Sequence, residues 1–248
     1  MSNSHHTRPN PAASPHVLQN AIRNLAVHIV KYQFSTNNVQ VVGLGSGSTV
    51  AAIINEIAKL PHKIGTEFVT TSIQIKQEAE NNGLKIVDEN RIPNIDIVID
   101  GADQVDSKFY MIKGGGGALL KEKVLISAAK RVVIIADSKK FVDKFTCPIP
   151  IEVHPFARSM VWIKLQEAGG IPKLRTDEKG YPFITENGNI IFDTSFNLVS
   201  NIPANELNLK NIPGIIEVGL FTRRADVYYK AKSDGSFEMI SPSIDTNR

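Results

Sequence analysis

The sequence predicts an α/β fold: an open, mainly parallel sheet with helices on both faces, carrying a small inserted α+β unit. Three observations predict it. Between residues 17 and 140, short apolar segments alternate with segments of helical spacing, the order that a parallel sheet with covering helices requires. Two of the strand candidates, Ile95–Asp100 and Arg131–Ala136, are strongly β-branched runs. After Cys147 the texture changes, with Pro148, Pro150 and Pro155 followed by hairpin-like sequence.

The elements follow in order. Val17 to Tyr32 reads as a helix, because Val17, Ile22, Leu25, Ala26, Ile29 and Val30 recur at helical spacing. Val39–Leu44 is a short buried strand, broken by Gly45-Ser-Gly-Ser-Thr49. Helical spacing resumes from Val50 to Leu60, with Pro61 as the stop. Glu67–Thr70 is a strand, and Ser72 caps a helix that runs to about Asn82 and ends at Gly83. Leu84–Val87 and Ile95–Asp100 are strands, Leu119–Ala129 a helix and Arg131–Ala136 a strand. In the inserted unit, Ala157–Ala168 is helical and Gly169-Gly170 breaks it. Asn187-Gly188 sits between Phe183–Thr185 and Asn189–Asp193, a hairpin signal. Ile215–Phe221 and Ala225–Tyr229 are strands expected to return to the first sheet. The expected organisation is a disordered tail at 1–16, a main α/β domain at 17–147 and 218–248, and a small α+β domain at 148–217.

Composition excludes several functions. Apolar residues make up 42% of the 248, enough for a real core, and the formal charge of +3 is too small to imply a nucleic-acid surface. No run of about 18 apolar residues offers a membrane span. The polar, proline-rich start lacks the apolar stretch of a secretory signal. Cys147 is the single cysteine, so no disulfide within the chain is possible, which fits a reducing cytoplasm. Its apolar, proline-broken setting reads as packing filler rather than a nucleophile. The histidines (His5, His6, His16, His28, His62 and His154) show no metal-ligand spacing, so no metal site is expected.

Four segments could carry chemistry. Gly43-Leu-Gly-Ser-Gly-Ser-Thr49 lies between a strand and a helix. Its glycines let backbone approach a ligand, while Ser46, Ser48, Thr49 and the helix-start amides offer donors to a phosphate. It is neither a P-loop, lacking Gly-Lys-Ser/Thr, nor a full dinucleotide fingerprint, since Ser48 takes the third glycine position. The plain alternative is a tight turn. Asp100-Gly-Ala-Asp103 ends a strand, where ligands of open parallel sheets sit, and two carboxylates there could bind hydroxyls or move protons; alone it is an ordinary Asp/Gly turn. Lys113-Gly-Gly-Gly-Gly117 combines a cation with a costly glycine run, which suggests close approach to a substrate rather than a linker. Glu122 follows in Lys121-Glu-Lys123 and read alone is a solvated charge. Asp137-Ser-Lys-Lys140 ends another strand and is either a charged turn or a source of a site lysine. Each of the four follows or faces a strand's carboxyl end, so together they suit proton transfer beside the carbonyl of a phosphorylated sugar.

These motifs resemble the ribose-5-phosphate isomerase family, type A, over about residues 19 to 240. Gly43–Thr49 matches the family's G-x-G-T-G-S-T, and Asp100-Gly-Ala-Asp-Gln104 its D-G-A-D-E. Met111–Leu119 with Lys121-Glu-Lys123 matches K-G-G-G-x-A-L…R-E-K; Pro150–Val153 and Ile212–Phe221 match further stretches. The resemblance implies a Rossmann-like main domain with a ferredoxin-like insertion. It implies an aldose–ketose isomerase that needs no cofactor, acts on ribose 5-phosphate and ribulose 5-phosphate, and assembles as a homodimer or homotetramer. Glu122 would be the base moving a proton between C1 and C2. Asp100 and Asp103 would bind hydroxyls and assist ring opening, and Lys113 would stabilise the enediolate. Ser46, Gly47, Ser48 and Thr49 would hold the phosphate with Lys140 nearby, and Gly101, Ala102, Gly114, Gly115 and Gly116 would line the substrate. Ser46 replaces the usual Thr, Gln104 the usual Glu, Lys121 the usual Arg, and Lys139 the usual Ser. Lys139 therefore competes with Lys140 for the site position. A sugar-phosphate sensor would need a DNA-binding segment for which residues 1–16 are too short and polar. An amino-sugar-phosphate isomerase or deaminase, or a coenzyme A transferase, would not carry these four motifs.

Overall fold

The computed structural model describes residues 23–34, 39–59, 65–88, 95–196 and 201–242. The expected tail, the start of the first helix and the stop at Pro61 lie outside the described residues.

The first helix, α1 (23–29), runs into a π turn at Val30–Phe34. It is followed by β1 (Val41–Leu44), α2 (Ser48–Ile57), β2 (Glu67–Thr70), α3 (Ile73–Asn81) and β3 (Lys85–Ile86). Next come β4 (Ile97–Gly101), β5 (Gln104–Val105), β6 (Met111–Ile112), α4 (Leu119–Ala128) and β7 (Arg131–Asp137). The inserted stretch holds β8 (Ile149–Val153), α5 (Arg158–Glu167), β9 (Ile171–Leu174), β10 (Ile190–Ser195), α6 (Ile202–Lys210) and β11 (Ile215–Val218). The chain closes with β12 (Leu220–Phe221), β13 (Val227–Ala231) and β14 (Phe237–Ile240).

Among the described residues, seven strands form one sheet in the order β14-β13-β7-β4-β1-β2-β3. Every neighbouring pair is parallel except β13 with β14. Alternate residues serve alternate faces. Val42, Leu44, Ile97, Ile99, Val133 and Ile135 pack on one side with Leu25 and Ile29 of α1 and Ile53 and Ile57 of α2. Val41, Val98, Val132 and Ile134 pack on the other with Leu119, Leu125 and Ile126 of α4. Burial on both faces is why these strands read as near-continuous apolar runs. It also brings the carboxyl ends of β1 and β4 side by side, with Leu44 opposite Ile99.

A second, antiparallel sheet has the order β11-β8-β10-β9, and a third, small one the order β12-β6-β5. Here the expectation for Ile215–Phe221 fails: this segment does not return to the first sheet. It divides at Gly219 between the second and third sheets, and of the two segments expected to return only Ala225–Tyr229 does so, within β13, parallel to β7. The cause is close backbone approach. The Gly219 N–H donates to the Pro150 carbonyl at 2.7 Å, and its own carbonyl accepts from the Lys113 N–H at 3.0 Å. A side chain there would lie 2.4 Å from the Lys113 carbonyl oxygen.

The Asn187-Gly188 hairpin forms, but Phe183–Thr185 is not a regular strand. One isolated bridge joins Ile184 to Ile190, and the Thr185 N–H donates to the Asn189 carbonyl at 2.8 Å. Side chains replace the ladder: Glu152 of β8, fully buried, accepts from Thr185 Oγ1 at 2.8 Å and from Asn187 Nδ2 and Asn189 Nδ2 at 2.9 Å each. That anchor holds the tip residue Glu186 beside the first sheet.

Candidate active site

The turn after β1 is shaped around Asp100. The Gly45 N–H donates to the Ile99 carbonyl at 2.9 Å, drawing the turn against the end of β4. Any side chain at Gly45 would meet the Asp100 carboxylate at 1.9 Å. Asp100 Oδ1 accepts from the Ser46 N–H at 3.2 Å and from the Gly101 N–H at 2.7 Å. Gly47, at φ 86°, turns the chain into α2 and leaves the helix start without a side-chain cap. The amides of that first turn stay available to an anion.

Lys113 follows β6 and is carried under this turn by its backbone bond to Gly219. Its side chain is 2% exposed. Its ammonium donates to the Gly101 carbonyl at 2.6 Å and lies 2.9 Å from Asp100 Oδ2 and 3.4 Å from Glu122 Oε2. Burial alone would push its pKa down, but Asp100 and then Glu122 outweigh it and hold the ammonium above the usual lysine value.

Glu122 is the residue that reading by charge misplaces. It is buried at 2% exposure. It stands three residues after Leu119 and three before Leu125, on the buried stripe of α4. That spacing was available in the sequence; the flanking lysines concealed it. Glu122 Oε1 accepts from Ser46 Oγ at 2.6 Å, whereas Oε2 accepts no hydrogen bond among the described residues. Burial and then the negative field of Asp100 raise its pKa to about 7, against the lowering pull of Lys113.

Apart from Lys139, every residue singled out as catalytic or substrate-binding from the sequence lines one cavity of ≈ 270 Å³. Asp103, half-buried, has its own N–H on the Ile112 carbonyl at 2.8 Å and its Oδ2 on the Gly115 N–H at 2.8 Å. Lys140 lines the cavity and donates to the Ala102 carbonyl at 2.8 Å, whereas Lys139 does not line it. Gln104 turns to the loop at 146–147, donating to Thr146 Oγ1 at 2.6 Å and accepting from the Thr146 N–H at 2.8 Å. Cys147 is half-buried, and burial pushes its thiol up to about 11.

Three lining residues were not anticipated: Ser72, Gln74 and Glu186. Ser72 is the expected cap, accepting from the Ile75 N–H at 3.2 Å. Glu186 accepts from the Ile73 N–H at 2.8 Å and pairs with Lys121 at 3.0 Å, closing the cavity from the hairpin side. Nothing in the local sequence of a hairpin tip signals such a position.

A carboxyl group titrating near neutrality beside a buried ammonium, with an amide-rich turn across the cavity, defines an α/β enzyme equipped for acid–base chemistry on a small anionic substrate. Residues 67–235 match the family model for ribose 5-phosphate isomerase A (phosphoriboisomerase A). The chain belongs to this family. It is 38% identical over 221 residues to the ribose-5-phosphate isomerase of Schizosaccharomyces pombe, covering 86% of this chain and 81% of that one. The structure of ribose 5-phosphate isomerase A from Methanocaldococcus jannaschii superposes with a TM-score of 0.81 at 31% identity, covering 92% of this chain and 100% of that one. A D-ribose-5-phosphate isomerase in complex with phospho-erythronic acid superposes with a TM-score of 0.82 at 30% identity, covering 92% and 98%.

Proposed function

We propose that the chain interconverts D-ribose 5-phosphate and D-ribulose 5-phosphate through an enediolate, in the non-oxidative branch of the pentose phosphate pathway. The observation that carries this is Glu122: fully buried, one oxygen held by Ser46, the other without a hydrogen bond among the described residues, its pKa raised to about 7. A base poised near the working pH combines a useful deprotonated fraction with useful proton affinity.

The substrate phosphate sits on Ser46, Gly47, Ser48 and Thr49, with Lys140 at the rim. Asp103 and Asp100 hold the sugar hydroxyls, and Asp103 takes the anomeric hydroxyl proton as the ring opens and passes it to the ring oxygen. Glu122 then removes the proton from C2 of the open-chain aldose. The C–H electron pair becomes the C1–C2 double bond and the carbonyl pair moves onto O1. Lys113 stabilises that oxyanion, exchanging its long 3.4 Å contact with Glu122 for the new charge as Glu122 becomes neutral. Glu122 returns its proton to C1 while the O2 hydroxyl proton passes to O1, leaving the ketose with no net redox change. The related structure in complex with phospho-erythronic acid supports a phosphorylated four- or five-carbon ligand in this cavity.

Residues 17–147 and 218–248 form the catalytic domain in this reading, and 148–217 a small domain that props Lys113 and the hairpin. A homodimer or homotetramer fits the exposure of Phe156, Ile171 and Tyr181 on that unit. The lone cysteine fits a cytoplasmic location. The test is an isomerisation assay on protein dialysed against EDTA. Turnover of ribose 5-phosphate is expected; turnover of glucosamine 6-phosphate but not ribose 5-phosphate would overturn the proposal.

A further inference from the structure

The glycine loop after Lys113 is held from outside the cavity by one arginine of the inserted unit. Arg175 follows β9. Its guanidinium is fixed by Asp193 of β10, with Nε 2.9 Å from Oδ2 and Nη2 2.5 Å from Oδ1. The remaining edge reaches the loop: Nη1 donates to the Gly114 carbonyl at 2.8 Å and the Gly115 carbonyl at 3.0 Å. The Phe183 ring lies 5.8 Å from the guanidinium carbon and contributes a second wall.

These two carbonyls belong to consecutive peptides, and no peptide bond among the described residues is cis. In a trans peptide the N–H points opposite to the C=O. With both carbonyls drawn towards Arg175, both N–H groups face the other way, towards the substrate cavity. The first is observed there, since the Gly115 N–H donates to Asp103 Oδ2 at 2.8 Å. The second belongs to Gly116, which lines the cavity and has no protein acceptor among the described residues. Gly114 sits at φ 106°, where the glycine run alone does not specify one conformation. The Gly117 N–H closes a turn on the Gly114 carbonyl at 3.0 Å, and the cation adds an anchor that spans both adjacent carbonyls; it also polarises the same peptides so that their N–H groups become better donors.

We propose that Arg175 is a positioning residue for the isomerase reaction. It aligns the peptides of Gly114–Gly115 and Gly115–Gly116 so that one N–H fixes Asp103 and the other is presented to the substrate. The inference rests on the isomerase reading, and it deepens that reading by placing part of the site's preorganisation in the inserted unit.

The test compares Arg175→Met, Arg175→Lys and wild-type enzyme by steady-state kinetics, melting temperature and amide NMR. Arg175→Met is expected to lose about 10- to 100-fold in kcat, with a smaller change in KM, as a misaligned donor does. Added guanidinium ion at low millimolar concentration restores part of that loss, a response that damage to folding would not show. Arg175→Lys keeps the charge without the fork and falls between the two. The Gly115 and Gly116 amide resonances shift in Arg175→Met without substrate present. Kinetics within about twofold of wild type, or a loss that guanidinium leaves unchanged while melting falls in proportion, would overturn the proposal. If Arg175→Met does not fold, Arg175→Lys and Asp193→Asn carry the same comparison. A wild-type enzyme that fails to turn over ribose 5-phosphate sinks the isomerase reading alone, because the amide shifts report on Arg175 without turnover.

Discussion

At the scale of single residues, the site depends on how one carboxyl group is solvated. In water Glu122 would ionise well below neutrality; buried beside Asp100 it is raised to about 7. As the reaction's base it must be deprotonated, so kcat/KM, which follows the free enzyme, is expected to rise with pH through an acidic limb near 7, falling about tenfold per unit below it. A pH–rate profile checks this. Glu122→Gln is expected to lower kcat by roughly 10²–10⁴-fold and leave no limb in that range; full activity in the variant would refute the assignment. Gly45 is a steric counterpart. Alanine there would drive its methyl group into Asp100, at 1.9 Å, so the carboxylate and the Ser46 amide it accepts must separate. Gly45→Ala is expected to lose on the order of 100-fold in kcat/KM, measured by the same assay.

At the scale of elements, α4 does two jobs through adjacent residues. Glu122 faces the cavity. Lys123 reaches the other way, donating to the Val218 and Leu220 carbonyls at 2.7 and 2.8 Å and pairing with Glu206 at 2.7 Å and Glu217 at 2.9 Å. It also lies 4.6 Å from the Phe221 ring centroid. This ties α4 to α6, β11 and β12, and so to Gly219, the residue that holds the Lys113 backbone. Lys123→Met would leave two carbonyls and Glu206 without their cation, while Glu217 keeps Lys210 at 3.3 Å. The expected cost is roughly 2–4 kcal/mol, read as a lower midpoint in denaturant melts. The same reasoning explains the hairpin at 183–189: a buried glutamate with three side-chain donors substitutes for a strand ladder, which a period-two reading of Phe183–Thr185 does not anticipate.

At the scale of the whole molecule, the raised carboxyl opposes folding. A free Glu122 in the unfolded chain ionises near 4.5, and the folded one at about 7. Between those values the unfolded chain gives up a proton that the folded chain keeps, so this group's contribution to stability falls as pH rises through that window and levels off above 7. Glu122→Gln removes that dependence. Its melting temperature minus that of wild type is therefore expected to become more positive between pH 5 and pH 8, followed by thermal melts across the range. A difference that shrinks with pH would contradict the burial of an ionising carboxyl at this position.

The sequence by itself determined the parallel sheet, its order of alternating strands and helices, and the motifs that supply the site. These are local properties: β-branched runs at β4 and β7, helical spacing in α2 and α4, and glycine-rich breaks at strand ends. Tertiary structure alone decided the rest. Glu122 became a buried acid because its neighbours on the stripe, Leu119 and Leu125, pack against the sheet, not because of the charges beside it in sequence. Gly219 sent Ile215–Phe221 into two small sheets because backbone from Lys113 and Pro150 comes within hydrogen-bonding distance of it. Glu186 reached the cavity, and Arg175 the glycine loop that lines it, from more than 60 residues beyond Lys113, carried by the fold of the inserted unit. Solvation and long-range contact depend on what the chain brings together in space, and no window of neighbouring residues contains that information.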